Sequence, residues 1–358
     1  MKKRYWAGAV ISVAAAYLLL APTAIDPVRW TPPVAPSLTE GEFKENSRLA
    51  AIQRFGKGLE LNGPEAVVAD SQQRILTGLE DGRIVRLSND GKSLETLINT
   101  GGRPLGLALH PDGRLIIADG IKGLLALNMQ SGELKVLTSE SDGVPFGFAD
   151  DVDISADGQY AYFSDASIRW HYGEDSQAVM EHRGDGRLLA YDFHSGETKT
   201  LVDGLEFANG VALGPNEDFV LVTETGAYRI SRLWLKGEKA GRQDTFRDNL
   251  PGLPDNISFN GKDKFWVAIF TPRNFFLDAF AENPFMRKVI IRALEFVPKI
   301  VEHRAMALGF DTEGGVIANL QDANSGNFSP ITSVREVDGY LYFGSLTQNS
   351  LGRIALTP

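Results

Sequence analysis

The chain has no cysteine. Disulfides, thiolate metal ligands and a cysteine nucleophile are therefore excluded. The absence does not fix a compartment, because 358 residues can bury a large core without covalent staples. Histidine is scarce as well: there are five, and no two are spaced as a metal-binding pair on one helix. A histidine-rich zinc site is not expected. Positive charge is in deficit, with a net charge of −10. A field of that sign repels phosphate backbones, so nucleic acid is not an expected partner. It suits a cation or a neutral substrate. Helical periodicity is nearly absent before residue 274.

The first thirty residues do carry a pattern. Lys2, Lys3 and Arg4 precede an apolar run from Trp6 to Ala21. The run reads as a signal-anchor or signal peptide over residues 1–25, with the basic end cytoplasmic and the body exported to a periplasmic or extracytoplasmic face. Weak cleavage-site chemistry around Pro22, Thr23 and Ala24 favours the uncleaved anchor over a secreted form. Residues 26–47 begin with a proline-rich stretch and read as a stiff, extended linker.

From residue 48 to 358 one pattern recurs: an apolar strand, a polar turn, and a second apolar or aromatic strand. The copies lie at 65–78, 106–119, 151–165, 210–224, 256–268 and 333–345. Turns such as Asp112-Gly113, Asp157-Gly158 and Asp338-Gly339 are strong hairpin signals. Third and fourth strands follow in most copies. Four strands per repeat predict an all-β, six-bladed β-propeller. The last copy lacks a fourth strand, and the segment 48–55 could supply it and close the ring.

Superposing the copies on their turns aligns the residue ahead of each first strand: Glu65, Leu105, Asp150, Asn209, Asp255 and Ile331. First strands line the channel of a propeller, so the four polar members converge although distant in sequence. Asp and Asn are also ordinary turn residues, but four in one column point to a divalent metal. Carboxylates at close range repel unless a cation or protons intervene. Oxygen-only ligands favour Ca2+, with Mg2+ or Mn2+ as alternatives.

Two long loops are expected to overhang this site. One runs 165–185 and contains Arg169, Trp170, His171 and Tyr172. The other, 270–304, is a short helical insertion in blade five, with apolar residues Phe285, Val289, Ile290 and Leu294 at helical steps from 284 to 297. Arg287, Lys288 and Arg292 flank its apolar side, so it reads as a lid or as an interfacial helix. Shorter loops add Asp119, Glu224, Thr225, Arg229 and Gln348.

Segments 103–125, 148–155, 186–192, 204–213, 228–241 and 250–259 resemble the strictosidine synthase-like proteins. With residues 25–36, they are similar to the branch of adipocyte plasma membrane-associated proteins, within the wider superfamily of gluconolactonase- and paraoxonase-type propellers. The resemblance implies a channel Ca2+ on Glu65 of Gly63-Pro64-Glu65, Asn209 of Ala208-Asn209-Gly210 and Asp255 of Pro254-Asp255-Asn256, with Asn256 contributing. It also implies Asn where this chain has Asp150. True strictosidine synthases place a glutamate at the start of blade six for a Pictet–Spengler condensation. Thr332 stands there, and a threonine cannot shuttle that proton. The leading functional expectation is a metal-dependent ester or lactone hydrolase, with Asp255 or Asp150 as nucleophile or base and His171 as a helper base. The rivals are a non-catalytic, membrane-tethered propeller that binds a ligand or partner, and phosphotriester hydrolysis on the same ion.

Overall fold

The computed structural model describes residues 2–296, 302, 304–324 and 327–356. Their strands include six four-stranded antiparallel sheets, the blades of a six-bladed propeller. The innermost strands are Val68–Ala69, Pro104–Leu109, Ala149–Ile154, Ala208–Leu213, Gly252–Phe259 and Ser333–Val337. Five blades use consecutive strands. The sixth takes its outer strand from upstream: Gln53–Phe55 pairs with Leu351–Ala355, with Arg54 opposite Gly352. The expected closure is therefore made, by the last three residues of the 48–55 segment.

Turn chemistry sets the strand lengths. Val337 pairs with Tyr340 across Asp338 and Gly339, whose φ values are 47° and 76°. That is the left-handed pair a two-residue hairpin requires. The buried core lies between blades rather than in the centre. Ala66, Val68, Leu76 and Ile84 of blade one pack on Leu107, Leu115, Ile117 and Leu125 of blade two. Near the channel the blades approach so closely that side chains are excluded. A Cβ on Gly344 would lie 1.7 Å from the Glu65 carbonyl oxygen, and one on Gly210 2.3 Å from the Ile257 nitrogen.

Among the described residues four α-helices stand outside the blades. Helix α1 spans Lys2–Leu20 and α2 spans Asp175–Glu181 in the 165–185 loop. The blade-five insertion holds α3 at Phe275–Ala279 and α4 at Pro284–Leu294. Asn283 starts α4 by accepting from the Met286 nitrogen at 3.1 Å. The sequence pattern carries this helix to 297, which lies outside the described residues. Among the described residues no helix is long and apolar enough to cross a membrane.

The proline-rich stretch is extended as expected, but it is docked. Proline and its neighbours cannot form ladder bonds, so the backbone groups here are satisfied by other means. The Val28 nitrogen donates to the Glu181 carbonyl at 2.9 Å. Arg287 Nη1 reaches the Val28 oxygen at 3.0 Å, Arg273 Nη2 the Pro33 oxygen at 2.6 Å, and Asn249 Nδ2 the Val34 oxygen at 2.9 Å. Trp30 stacks on His182 with ring centroids 4.0 Å apart. Residues 24–34 thus form a strap tying the 165–185 loop to the blade-five insertion.

Candidate functional site

The column residues are held by acidic staples at the ends of the second strands. Asp119 accepts from the Arg103 nitrogen at 2.9 Å, the Ile121 nitrogen at 3.0 Å and Thr100 Oγ1 at 2.7 Å. Asp165 accepts from the Phe148 nitrogen at 2.8 Å and Arg187 Nη2 at 2.6 Å. Glu224 accepts from the Glu206 nitrogen at 2.9 Å and Arg229 Nε at 2.6 Å. Each staple fixes the chain two or three residues before a column position: Leu105, Asp150 and Asn209. Charge-assisted bonds of this kind are short and directional. The sequence reading placed Asp119, Glu224 and Arg229 among the overhanging loop groups, and the structure corrects this. Asp119 and Glu224 are wholly buried, and their oxygens are taken up by these bonds.

The structure brings Glu65, Asp150, Asn209, Asp255 and Asn256 together, all between 2% and 6% exposed. Burial pushes the Glu65 carboxyl up to about 7, against the pull of Arg103. Asp150 is raised well above the ordinary range, first by burial and then by the charges of Glu65, Asp255 and Asp151. Asp255 is raised by burial and by Glu65, while a side-chain hydrogen bond from Asn209 opposes the rise. Glu65 and Asp255 act on Asp150, and Glu65 acts on Asp255, so these carboxylates lie within reach of one another's charge.

Whether an ion fits can be judged from the acceptors left over. Among the described residues, no three His, Cys, Asp or Glu side chains already close around a point as metal ligands. Yet Asn209 Oδ1, Asp255 Oδ1 and Asn256 Oδ1 are buried with no hydrogen-bond partner. Each such orphan destabilises the fold by about 1–3 kcal/mol. Two amide oxygens and a carboxylate oxygen, beside two more carboxylates, form a donor set for a hard cation. The residues present fit the group.

Two members of the site escaped the sequence reading. Arg103, 1% exposed, donates through Nη2 to Glu65 Oε2 at 3.2 Å and to the Gly63 oxygen at 3.0 Å. Its Nε and Nη1 are buried without partners. It therefore competes with any cation for Glu65. The second is Thr332 as a column member. The Glu65 nitrogen bonds the Gly78 oxygen, and the Thr332 nitrogen bonds the Gly344 oxygen in the same way. Thr332, not Ile331, thus occupies the blade-six position, and its Oγ1 is another buried group without a partner. Ile331 belongs to the hydrophobic core.

His171 is not drawn into the ring. It is exposed, and its Nδ1 lies 3.3 Å from the Gly147 oxygen. Thr225 and Gln348 bond the main-chain oxygens of Pro254 and Ser329. Tyr172 does approach the site, with its ring 6.0 Å from the Arg103 guanidinium carbon. Below the ring, a small channel cavity is lined by Asp151, Asp153, Ser258, Ser333 and Arg335. Asp151 accepts from the Val211 nitrogen at 2.9 Å, tying blade three to blade four.

Closed propeller, acidic channel mouth and family motifs agree with what similarity shows: the chain belongs to the strictosidine synthase-like family. The model for strictosidine synthase matches residues 150–238, and that for the strictosidine synthase-like N-terminal region matches residues 41–87. The chain is 35% identical over 343 residues to the adipocyte plasma membrane-associated protein of Rattus norvegicus, covering 90% of each chain. It is 34% identical to protein strictosidine synthase-like 6 of Arabidopsis thaliana, over 86% of this chain and 82% of the relative. Solved structures share the fold. A gluconolactonase from Xanthomonas campestris superposes with a TM-score of 0.62 at 14% identity, over 94% of this chain and 96% of that one. A calcium-binding regucalcin from Agrobacterium tumefaciens gives 0.58 at 13% identity, over 84% and 92%.

Proposed function

We propose that the chain is a divalent-cation-dependent hydrolase of esters or lactones. The observation that carries this reading is the set of unpartnered buried oxygens on Asn209, Asp255 and Asn256 beside under-ionised carboxylates. Glu65, Asp150, Asn209, Asp255 and Asn256 would hold the ion, Ca2+ before Mg2+ or Mn2+. When bound, the ion would supply polarisation of the substrate carbonyl and stabilisation of the developing oxyanion. Asp255 and Asp150 are the chain's own bases. Either carboxylate, deprotonated when an ion binds, would take a proton from the attacking water. Asn209 orients Asp255 through its side-chain amide. The folds shared with a gluconolactonase and a regucalcin are consistent with lactone chemistry and with a calcium site. The test is a panel of aryl esters and lactones assayed in Ca2+ and in chelator. Chelation and Asp255→Asn should each abolish turnover. Undiminished hydrolysis in chelator refutes the reading.

We also propose that α1 attaches the protein to a membrane, with Lys2, Lys3 and Arg4 on the cytoplasmic side and the propeller exported. Its apolar run and the membrane-associated relatives support this. Replacing Val13, Leu18 and Leu20 with serine should release the protein from the membrane pellet. Retention of the variant would refute attachment through α1.

A further inference from the structure

We infer that the blade-five insertion is a second lipid-docking element, which sets the channel-mouth face of the propeller against a bilayer. The starting observation is where exposed aromatic surface lies. Phe275, Phe276, Phe285 and Phe296 are 77%, 63%, 51% and 69% exposed. Among the described residues every exposed phenylalanine belongs to this insertion. Exposed large apolar residues on the blades are scattered and not phenylalanine, such as Val136 and Ile317. Clustered apolar surface of this kind marks an interaction site.

The insertion is built to hold these rings outward. Its polar groups are used on the protein side. Arg287 is buried and bonds the Val28 oxygen. Arg292 is buried, and its Nη1 bonds the Leu18 oxygen at 2.6 Å. Asp278 accepts from Tyr228 Oη at 3.0 Å and from Arg273 Nε at 3.0 Å. With both helices capped by asparagine side chains, the frame is fixed and the phenylalanines stay in water.

The occupant is assigned by continuity and by charge. The Arg292 bond and a Tyr17–Phe296 ring contact at 5.4 Å fasten α1 to this insertion. Helix α1 itself exposes Trp6, Val13 and Leu20 at 73%, 70% and 79%. Apolar surface is thus exposed both on α1 and on the insertion to which it is fastened. Lys288 and Arg183 share the single carboxylate of Asp26 beside it. The exposed rings are themselves uncharged and aromatic, which suits the acyl region of a bilayer. The insertion leaves blade five from Pro272, which pairs with Gly252 just ahead of Asp255. Docking would bring the channel mouth to the lipid. On the hydrolase reading proposed above, the substrate would then be an apolar ester or lactone drawn from the membrane.

The absence of cysteine allows a direct test on the full chain. Single variants Phe276→Cys, Phe285→Cys, Val13→Cys and Val136→Cys are labelled with an environment-sensitive fluorophore and mixed with phosphatidylcholine vesicles. Labels at 276 and 285 should be quenched by nitroxide on the acyl chains, and high salt should not reverse it. The label at 136 should stay accessible to aqueous iodide. If only the label at 13 is quenched, attachment through α1 stands and this inference falls. If 276 and 285 are quenched while 13 is not, this inference stands and attachment through α1 falls. Labels at 276 and 285 that are open to iodide on vesicles, but shielded in native membranes, would indicate a protein partner and overturn the proposal.

Discussion

Asp150→Asn offers the sharpest test of the site's electrostatics. Without a cation, Asp150 is a buried acid beside Glu65 and Asp255, and all three influences raise its proton affinity. The sign follows from that direction. A carboxyl raised in the fold contributes its full stability below the unfolded value of 3.8 and loses it as pH rises toward the folded value. Each pH unit over which the fold keeps a proton that the unfolded chain has released destabilises it by about 1.4 kcal/mol. Two such pH units amount to ~3 kcal/mol. With an unfolding entropy of about 2 cal/mol/K per residue, that is roughly 4–5 °C in Tm for a propeller of this length. Asparagine removes the titration while keeping the shape. In chelator the variant should therefore unfold at higher temperature than wild type near neutral pH, and the gap should shrink toward pH 5. In saturating Ca2+ the order should narrow or reverse, because wild type has the more anionic ligand set and gains more from mass action. The assay is thermal unfolding by circular dichroism in the four combinations. A variant that is less stable in chelator at every pH, or a gap that does not change with pH, refutes the account of Asp150 as a suppressed acid.

Arg103→Met should cost about 3–5 kcal/mol in chelator, because it strands Glu65 as a buried carboxylate. The same variant should bind Ca2+ more tightly in calorimetry, since the guanidinium no longer competes. Ca2+ affinity should rise with pH through about 7, where Glu65 loses its proton, and calorimetry in two buffers should report proton release. Gly344→Ala drives a Cβ into the Glu65 carbonyl and should shift that main chain, lowering Tm and Ca2+ affinity together. Trp30→Ala removes the stack on His182 and should lower stability by about 1–3 kcal/mol and open residues 24–34 to protease.

What could be read from sequence was whatever repeats. Strand alternation and aspartate–glycine turns recur, so the six blades and the column of Glu65, Asp150, Asn209 and Asp255 are legible in the sequence. The blade-six position slipped by one because its turn has two residues, Asp338 and Gly339, while Asp70 and Arg74 bracket a longer turn in blade one. Superposition on turns carries that difference into the column and selects Ile331 over Thr332. Arg103 was hidden for another reason. Its blade contributes an apolar Leu105 to the column, so the arginine two residues earlier has no repeat to mark it. The strap was misjudged because its local composition is that of a linker. Its docking is supplied by Arg273, Arg287 and Asn249, more than two hundred residues away, and no local pattern reports on such partners.

The charge balance of the ring explains how so much acid can be buried at all. Raised proton affinity at Asp150 and Asp255, with Glu65 paired to Arg103, reduces the charge of the site when no ion is bound. On the proposed reading a divalent cation would displace protons and offset the same carboxylate charge. Coordination would favour the exchange: oxygens of Asn209, Asp255 and Asn256 that have no partner in the ion-free protein would acquire one. On this view Asp150, where the family resemblance implies asparagine, couples ion occupancy more strongly to pH. On the proposed reading, protons and Arg103 stand in for the ion in the metal-free propeller, and the same two devices would set the threshold at which it enters.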